Sequence, residues 1–358
     1  MELKILNNEK PLKNTKVIAI GSGKGGVGKS SITVCLAYVL KSLGIKVGVL
    51  DADIYGPSLR VMLPHQKPPI EKDGWLYPAH SSNIEVMSIS YFNKNKLNTA
   101  IRAPIVNAMI KRFTQSVKWS DLDILLIDLP PGTGDIHLTL MQSIPLDGAV
   151  VVTTPQNVSV SDVKKSVELF QKMQVPILGV IENMSYYLDP FSFEKHFIFG
   201  SGGGIQLAKE FQIPLLGQVP LDEELCNRLD NGKSIFEGKG AKVAKQVLTE
   251  IGIEILDKIC DHTCVKKTFF ELNKQDDLHF SIKLDGVEIN ASYADLQKQC
   301  PCARCVDEVS GIRVIEEEAL DPRVEVKEIE KIGNYGLRFH FNSGCQQGIY
   351  TWDILKNL

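Results

Sequence analysis

Between Lys16 and about Ile255, short β-branched apolar runs alternate with longer stretches whose apolar side chains recur at helical spacing. The clearest runs are Lys16-Val-Ile-Ala-Ile20, Val47-Gly-Val-Leu50, Ile124-Leu-Leu-Ile127, Ala149-Val-Val-Val152 and Ile177-Leu-Gly-Val-Ile181, and Ser31 to Ser42 is the first helical stretch. Runs with no polar alternation belong to strands covered on both faces. The pattern therefore predicts an α/β domain with a mostly parallel sheet and helices on both faces. It breaks down from about Leu256 to Asp277, where the charged stretch Asn273 to Asp277 reads as the end of a linker. Beyond it, Phe280 to Leu284, Val324 to Ile329 and Leu337 to Phe341 alternate, as half-buried antiparallel strands of a small α+β module do. The predicted organisation is a tail over 1–15, the α/β domain over 16–256, a linker over 257–277 and the module over 278–358.

Composition narrows the partners. The 358 residues are 44% hydrophobic, enough for two domains with cores. Forty basic residues are scattered among 43 acidic ones for a net charge of −3, without a basic run, so no nucleic-acid partner is expected. No signal peptide, membrane span or terminal amphipathic helix is visible, so a cytoplasmic location without a stable membrane anchor is expected. Eight cysteines are too few for a disulfide scaffold.

Strand, glycine-rich loop and helix follow one another at Gly21-Ser-Gly-Lys-Gly-Gly-Val-Gly-Lys-Ser30. Gly23-x-x-x-x-Gly28-Lys29-Ser30 matches the phosphate-loop pattern, in which backbone N–H groups and a helix N-terminus converge on phosphate oxygens. Gly23, Lys24, Gly25, Gly26, Val27, Gly28 and Ser31 would line the phosphates. Lys29 would neutralise the β- and γ-phosphates, and Ser30 would ligate Mg²⁺. Gly21-x-Gly23-x-x-Gly26 also satisfies the dinucleotide fingerprint, with Asp51 or Asp53 as the ribose acid. The Lys-Ser pair has no role there, and Asp128 at the end of a later strand supplies the Mg²⁺-side acid of a nucleoside triphosphatase.

Lys24 separates this loop from most phosphate loops. The run Lys24-Gly-Gly-Val-Gly-Lys29-Ser30 resembles the deviant loop of the MinD/ParA-like ATPases, and the resemblance implies an ATP-sandwich homodimer in which Lys24 reaches the partner's nucleotide. Asp51-Ala-Asp53-Ile-Tyr-Gly-Pro-Ser58 and Asp128-Leu-Pro-Pro-Gly-Thr-Gly-Asp135 are the expected switch segments. Asp53 would polarise the attacking water or hold a Mg²⁺-bound one. Asp51 and Asp128 would act through the metal shell, and the Gly132 N–H would sense the γ-phosphate. Asp135 caps the next helix in the simpler reading.

With Ile181-Glu-Asn-Met-Ser185, Phe199-Gly-Ser-Gly-Gly-Gly204 and Pro214 to Asp222, these segments resemble the Mrp/ApbC ATP-binding iron–sulfur cluster carriers. The resemblance implies slow ATP hydrolysis, adenine contact by Asn183, a binding position at Pro220, and delivery of clusters to apo iron–sulfur proteins or assembly scaffolds. The carriers hold a bridging [4Fe–4S] cluster on a Cys-x-x-Cys pair after this stretch. Here Asp189 and Ser192 stand in its place. Cluster irons prefer thiolates, so two readings stay open: a carrier or assembly factor with its cluster held elsewhere, and a cluster-free ATP-switched partner-binding protein. Cys260 and Cys264 are a substitute pair or a chance one, and Cys35 and Cys226 are expected in the core.

Cys300-Pro-Cys302-Ala-Arg-Cys305 places three thiols within six residues, and Cys345, in a predicted turn, offers a fourth for a closed tetrahedral Zn²⁺ site. Free thiols and an iron–sulfur cluster are the alternatives. The segments Leu284-Asp-Gly286, Gly333-Asn-Tyr-Gly-Leu337 and Gly348-Ile-Tyr-Thr-Trp352, with the cysteine run, resemble the N-terminal zinc domain of γ-butyrobetaine hydroxylase. That family has histidine where Cys345 stands, and the exchange keeps a ligand. A structural or recruitment role is expected.

Overall fold

The computed structural model describes residues 12, 15–53, 58–88, 91, 110, 113, 116–237, 240–259, 270–284, 287–301, 305, 321–332, 336–345, 348–356 and 358. Residues 54–57 of the first switch segment, Cys260, Cys264, Cys302, 285–286 and 333–335 lie outside them, as does the side chain of Asp135. Two compact units divide the chain: Met1–Glu237 with Val243–Ile259, and Gly238–Lys242 with Cys260–Leu358.

The first unit opens with β1 (Lys16–Ser22), α1 (Lys29–Ser42), β2 (Val47–Asp51), α2 (Leu59–Met62), β3 (Ile70–Lys72), β4 (Trp75–Tyr77), β5 (Ala79–Ser81), β6 (Ile84–Ser88) and β7 (Ile124–Asp128). It continues through α3 (Asp135–Ser143), β8 (Gly148–Thr153), α4 (Asn157–Lys172), β9 (Ile177–Glu182), β10 (Tyr187–Leu188) and β11 (Lys195–His196). It closes with α5 (Gly203–Phe211), β12 (Leu215–Gln218), α6 (Glu223–Asp230) and α7 (Lys242–Ile259).

The central sheet has the order β12-β9-β8-β1-β7-β2-β6-β5. Every pairing is parallel except β5 on β6. Alternate residues of a strand face opposite layers. Val17 and Ala19 of β1 join Val163, Val167 and Phe170 of α4 in one core cluster, while Ile18 and Ile20 are buried on the other face. The parallel strands all end on one edge, which carries the loops after β1, β2, β7 and β9.

The sequence pattern missed the short strands between residues 70 and 88. Ile84–Ser88 is buried throughout despite its Glu85 and Ser88, so polar residues there hid a covered strand. Cys35 is buried as expected, but Cys226 is exposed. The buried positions of α6 are Leu225 and Leu229. Cys226 sits one residue off that stripe, about 100° round the helix.

The second unit has two three-stranded antiparallel sheets. β13 (Phe270–Lys274), β14 (His279–Leu284) and β15 (Val287–Ser292) precede α8 (Tyr293–Lys298); β16 (Val326–Ile332), β17 (Gly336–Phe341) and β18 (Ile349–Thr351) precede α9 (Trp352–Lys356). β13 lies inside the stretch read as linker. Phe280, Tyr293, Phe339, Phe341 and Tyr350 form an aromatic core that also takes in Cys300 and Cys305.

Candidate functional site

The site grows from three adjacent strand ends. Asp51 closes β2, Asp128 closes β7, and the two are register partners. The loop after β1 turns into α1 through Gly28, whose φ of 81° lies in the left-handed region. A side chain there would also meet the Asn183 amide, so glycine is required twice over. Lys29 is thus the first residue of α1, two positions earlier than the helical pattern indicated.

Asp128 is fully buried and collects three polar groups on one carboxylate. Lys29 Nζ lies 2.7 Å from Oδ1, Thr33 Oγ1 donates to Oδ1 at 2.9 Å, and Ser30 Oγ donates to Oδ2 at 2.6 Å. Beside Asp128, on the neighbouring strand, lies Asp51, which is 1% exposed. Burial, reinforced by the Asp128 charge, pushes the Asp51 carboxyl up to about 7. Ser88 Oγ donates to Asp51 Oδ2 at 2.8 Å and the Asp53 N–H to Oδ1 at 3.1 Å, which opposes that rise.

A cavity of about 480 Å³ opens beside this network, lined by residues 24–31 and by Asp53, Ser58, Pro131 and Asp230 among others. Lys24, Gly25, Gly26, Val27, Gly28, Lys29, Ser30, Ser31 and Asp53 therefore share one pocket. Gly23 lies behind it, against the α4 backbone at Asp162. The Gly132 N–H donates to Ser22 O at 3.1 Å, and Asn183 Nδ2 donates to Val27 O at 2.9 Å. Both groups are therefore bonded to the loop itself. Pro220 is buried after β12, between Val219 and Leu221, whose amides bond back to Glu182 and Tyr186.

Sequence reasoning missed several participants. Thr33 follows Lys29 by four residues on α1, and that spacing was its signal. Ser88 had none, because its strand was not recognised. His137 of α3 is buried, and its Nε2–H donates to Pro130 O at 2.9 Å, holding the loop that follows β7. Burial keeps its pKa below the usual histidine range.

The Asp189 position lies in the turn between β10 and β11. Asp189 Oδ1 accepts the Phe191 and Ser192 N–H groups, each at 2.8 Å, and these bonds hold its pKa down. Ser192 Oγ accepts the Glu194 N–H at 3.3 Å. Both side chains shape the turn. Seven of the eleven large apolar side chains exposed among the described residues fall between Tyr187 and Ile205, led by Phe191 at 92% and Phe193 at 61%.

In the second unit the sulfurs of Cys300, Cys305 and Cys345 lie within 4.8 Å of one another. Cys300 and Cys345 are 3.7 Å apart, close to the about 3.8 Å edge of a tetrahedron with zinc–sulfur bonds of ~2.3 Å. The donor set and its spacing fit a thiolate-bound metal. Gln297, buried on α8, donates to Ser343 O at 2.6 Å and so ties the Cys345 turn to the helix that leads into Cys300. Gly348 leaves the space that Cys300 Sγ occupies: a Cβ would stand 2.6 Å from the sulfur.

Residues 13–256 match the ParA family, described as NUBPL iron-transfer P-loop NTPases. The chain belongs to that family. Residues 272–356 match the γ-butyrobetaine hydroxylase-like N-terminal domain. Among the relatives of this P-loop NTPase are the iron-sulfur cluster carrier proteins of Aquifex aeolicus, 41% identical over 65% of this chain and 65% of that protein, and of Escherichia coli K12, 44% identical over 64% of this chain and 63% of that protein. The match thus spans just under two thirds of the length of either carrier.

Among solved structures, the NTPase resembles a nucleotide-binding protein of Archaeoglobus fulgidus in complex with ADP, at 37% identity and a TM-score of 0.53 over 60% of this chain and 85% of that one. Pyrococcus horikoshii MinD with Mg-ADP, at 22% identity and a TM-score of 0.50 over 70% of this chain and 99% of that one, shares the fold. No helix among the described residues is long and apolar enough to cross a membrane.

Proposed function

We propose that this chain is an ATP-binding and ATP-hydrolysing homodimeric factor of iron–sulfur cluster carriage or assembly, acting in the cytoplasm. The observation that carries the reading is the buried Lys29–Asp128–Ser30–Thr33 network at the mouth of the phosphate-loop cavity. A lysine and a serine in the first helical turn, both held on one carboxylate, are the parts a triphosphate and its Mg²⁺ would engage. Lys29 would take the β- and γ-phosphates, Ser30 the metal, and Asp128 the metal shell. Asp53, which lines the cavity, would orient the attacking water. Asp51 would act through the same shell, and its raised pKa suits it to hold a proton near neutral pH.

Lys24 lines the same cavity. In this reading it reaches the nucleotide of the second subunit, so that hydrolysis needs a dimer. Gly132 and Asn183, each bonded to the loop, would carry the state of the nucleotide into the second switch segment and into the hairpin that follows β9. The cargo would be a cluster passed to apo iron–sulfur proteins or their scaffolds. The thiols of Cys300, Cys302, Cys305 and Cys345 would hold zinc and stabilise the second unit.

One observation favours the cluster-free alternative. Asp189 Oδ1 accepts two backbone N–H groups in a turn crowned by exposed phenylalanines. Such a turn is built to present an apolar surface to a protein partner. Iron, acid-labile sulfide and zinc per chain, with the visible spectrum, separate the two on protein purified without oxygen and reconstituted. About four irons and four sulfides per dimer, transferable to an apo protein, are expected of the carrier. Zinc without iron would leave an ATP-driven partner switch.

A further inference from the structure

Tyr350 of β18 is fully buried in the aromatic and aliphatic core of the second unit. Its hydroxyl has no hydrogen-bond partner that meets ordinary geometry. An unsatisfied buried hydroxyl is destabilising, and a phenylalanine at this position would avoid that cost. The Cys300 sulfur adjoins it. Gly348 lets both the Cys300 sulfur and the Tyr350 ring close in: a Cβ there would stand 2.6 Å from Cys300 Sγ and 3.3 Å from Tyr350 Cε2. The Cys305 and Cys345 sulfurs stand within 4.8 Å of the Cys300 sulfur.

We propose that Tyr350 is a positioning residue of this metal site, donating its phenolic O–H to the Cys300 sulfur once that sulfur is a metal-bound thiolate. The proposal rests on the thiols holding a metal. A neutral thiol is a weak acceptor and a thiolate a strong one, so a metal-bound Cys300 sulfur is a fitting acceptor for this hydroxyl. Thiolates in excess of a divalent ion's charge leave net negative charge beside an apolar core, and a hydrogen bond to one sulfur disperses part of it. It also orients the Cys300 side chain, as outer-shell partners of metal ligands do. The ring itself is fixed edge-on against Phe339, with centroids 5.5 Å apart.

The test uses the full chain, stripped of metal and titrated with Co²⁺, whose sulfur-to-cobalt charge-transfer bands report the electron density on the thiolates. Tyr350→Phe keeps the ring and loses the donor. The expected result is a shift of those bands and a ~10–100-fold loss of Co²⁺ and Zn²⁺ affinity in chelator competition, with an unchanged far-ultraviolet circular dichroism spectrum. Unmoved bands and affinity would overturn the proposal while leaving the metal reading intact. Failure of the unaltered chain to bind Co²⁺ at all would overturn both. A second measurement needs no variant: with ¹¹³Cd bound, a hydroxyl proton resonance scalar-coupled to the metal is expected for Tyr350, and its absence would refute the hydrogen bond.

Discussion

Lys29 Nζ and Asp128 Oδ1 stand 2.7 Å apart, with 6% and 0% of their side chains exposed. The pair joins the first turn of α1 to the end of β7, and it makes Lys29 part of the folded core. Removing one partner of a buried pair strands the other charge, at a cost of about 3–5 kcal/mol. Asp128→Asn should therefore lower the urea midpoint of the nucleotide-free protein strongly. Lys29→Ala should abolish ATP binding by calorimetry. A midpoint unmoved in Asp128→Asn would mean that Lys29 has another counter-charge.

Lys24 lines the phosphate-loop cavity and is half-buried. Lys24→Ala should leave ATP affinity within about threefold and remove the part of the hydrolysis rate that grows with protein concentration. Turnover equal to that of the unaltered chain would exclude the shared-nucleotide dimer.

Asp51 gives a pH prediction with a definite sign. Its folded-state pKa of about 7 lies above the ordinary 3.8, because burial and Asp128 disfavour the anion. The folded state thus binds the proton more tightly than the unfolded one, and this group's contribution to stability is present below pH 4 and lost as pH rises to 7. At full ionisation the loss is ~4 kcal/mol, at about 1.36 kcal/mol per unit of pKa. Asp51→Asn should raise the melting temperature at pH 8 far more than at pH 4.5. An equal effect at both would show that the carboxylate ionises freely in the folded protein.

Where the turn after β10 carries Asp189 and Ser192, thiols are the missing ingredient for a shared cluster. Asp189→Cys combined with Ser192→Cys should raise the iron and sulfide retained after anaerobic reconstitution above the unaltered level. No gain would indicate that the turn itself, with its two backbone N–H groups directed at residue 189, excludes the cluster.

Gly348 faces the Cys300 sulfur so closely that one methyl group displaces it. Gly348→Ala should lower the zinc retained per chain during dialysis, while ATP binding by the first unit is unchanged. Full zinc retention would place the metal away from Cys300.

Periodicity and one loop pattern, read without coordinates, determined that this is a parallel α/β phosphate-loop protein with a thiol-bearing module behind it. A parallel sheet needs uninterrupted apolar strands, and an anion cradle needs glycines at fixed offsets from a lysine; both are local requirements, written contiguously. Lys29, Ser30 and Asp128 were legible for that reason. Thr33 at the Asp128 carboxylate, Ser88 on Asp51, His137 on Pro130 and Tyr350 beside Cys300 were decided only in three dimensions. Each is a polar side chain on an ordinary helix or strand, and its partner lies far along the chain or across a turn. The same holds for Asp189. The sequence shows a missing cysteine, and only the folded turn shows what its replacement does instead: burial and strand register, not residue type, select which polar groups must find each other.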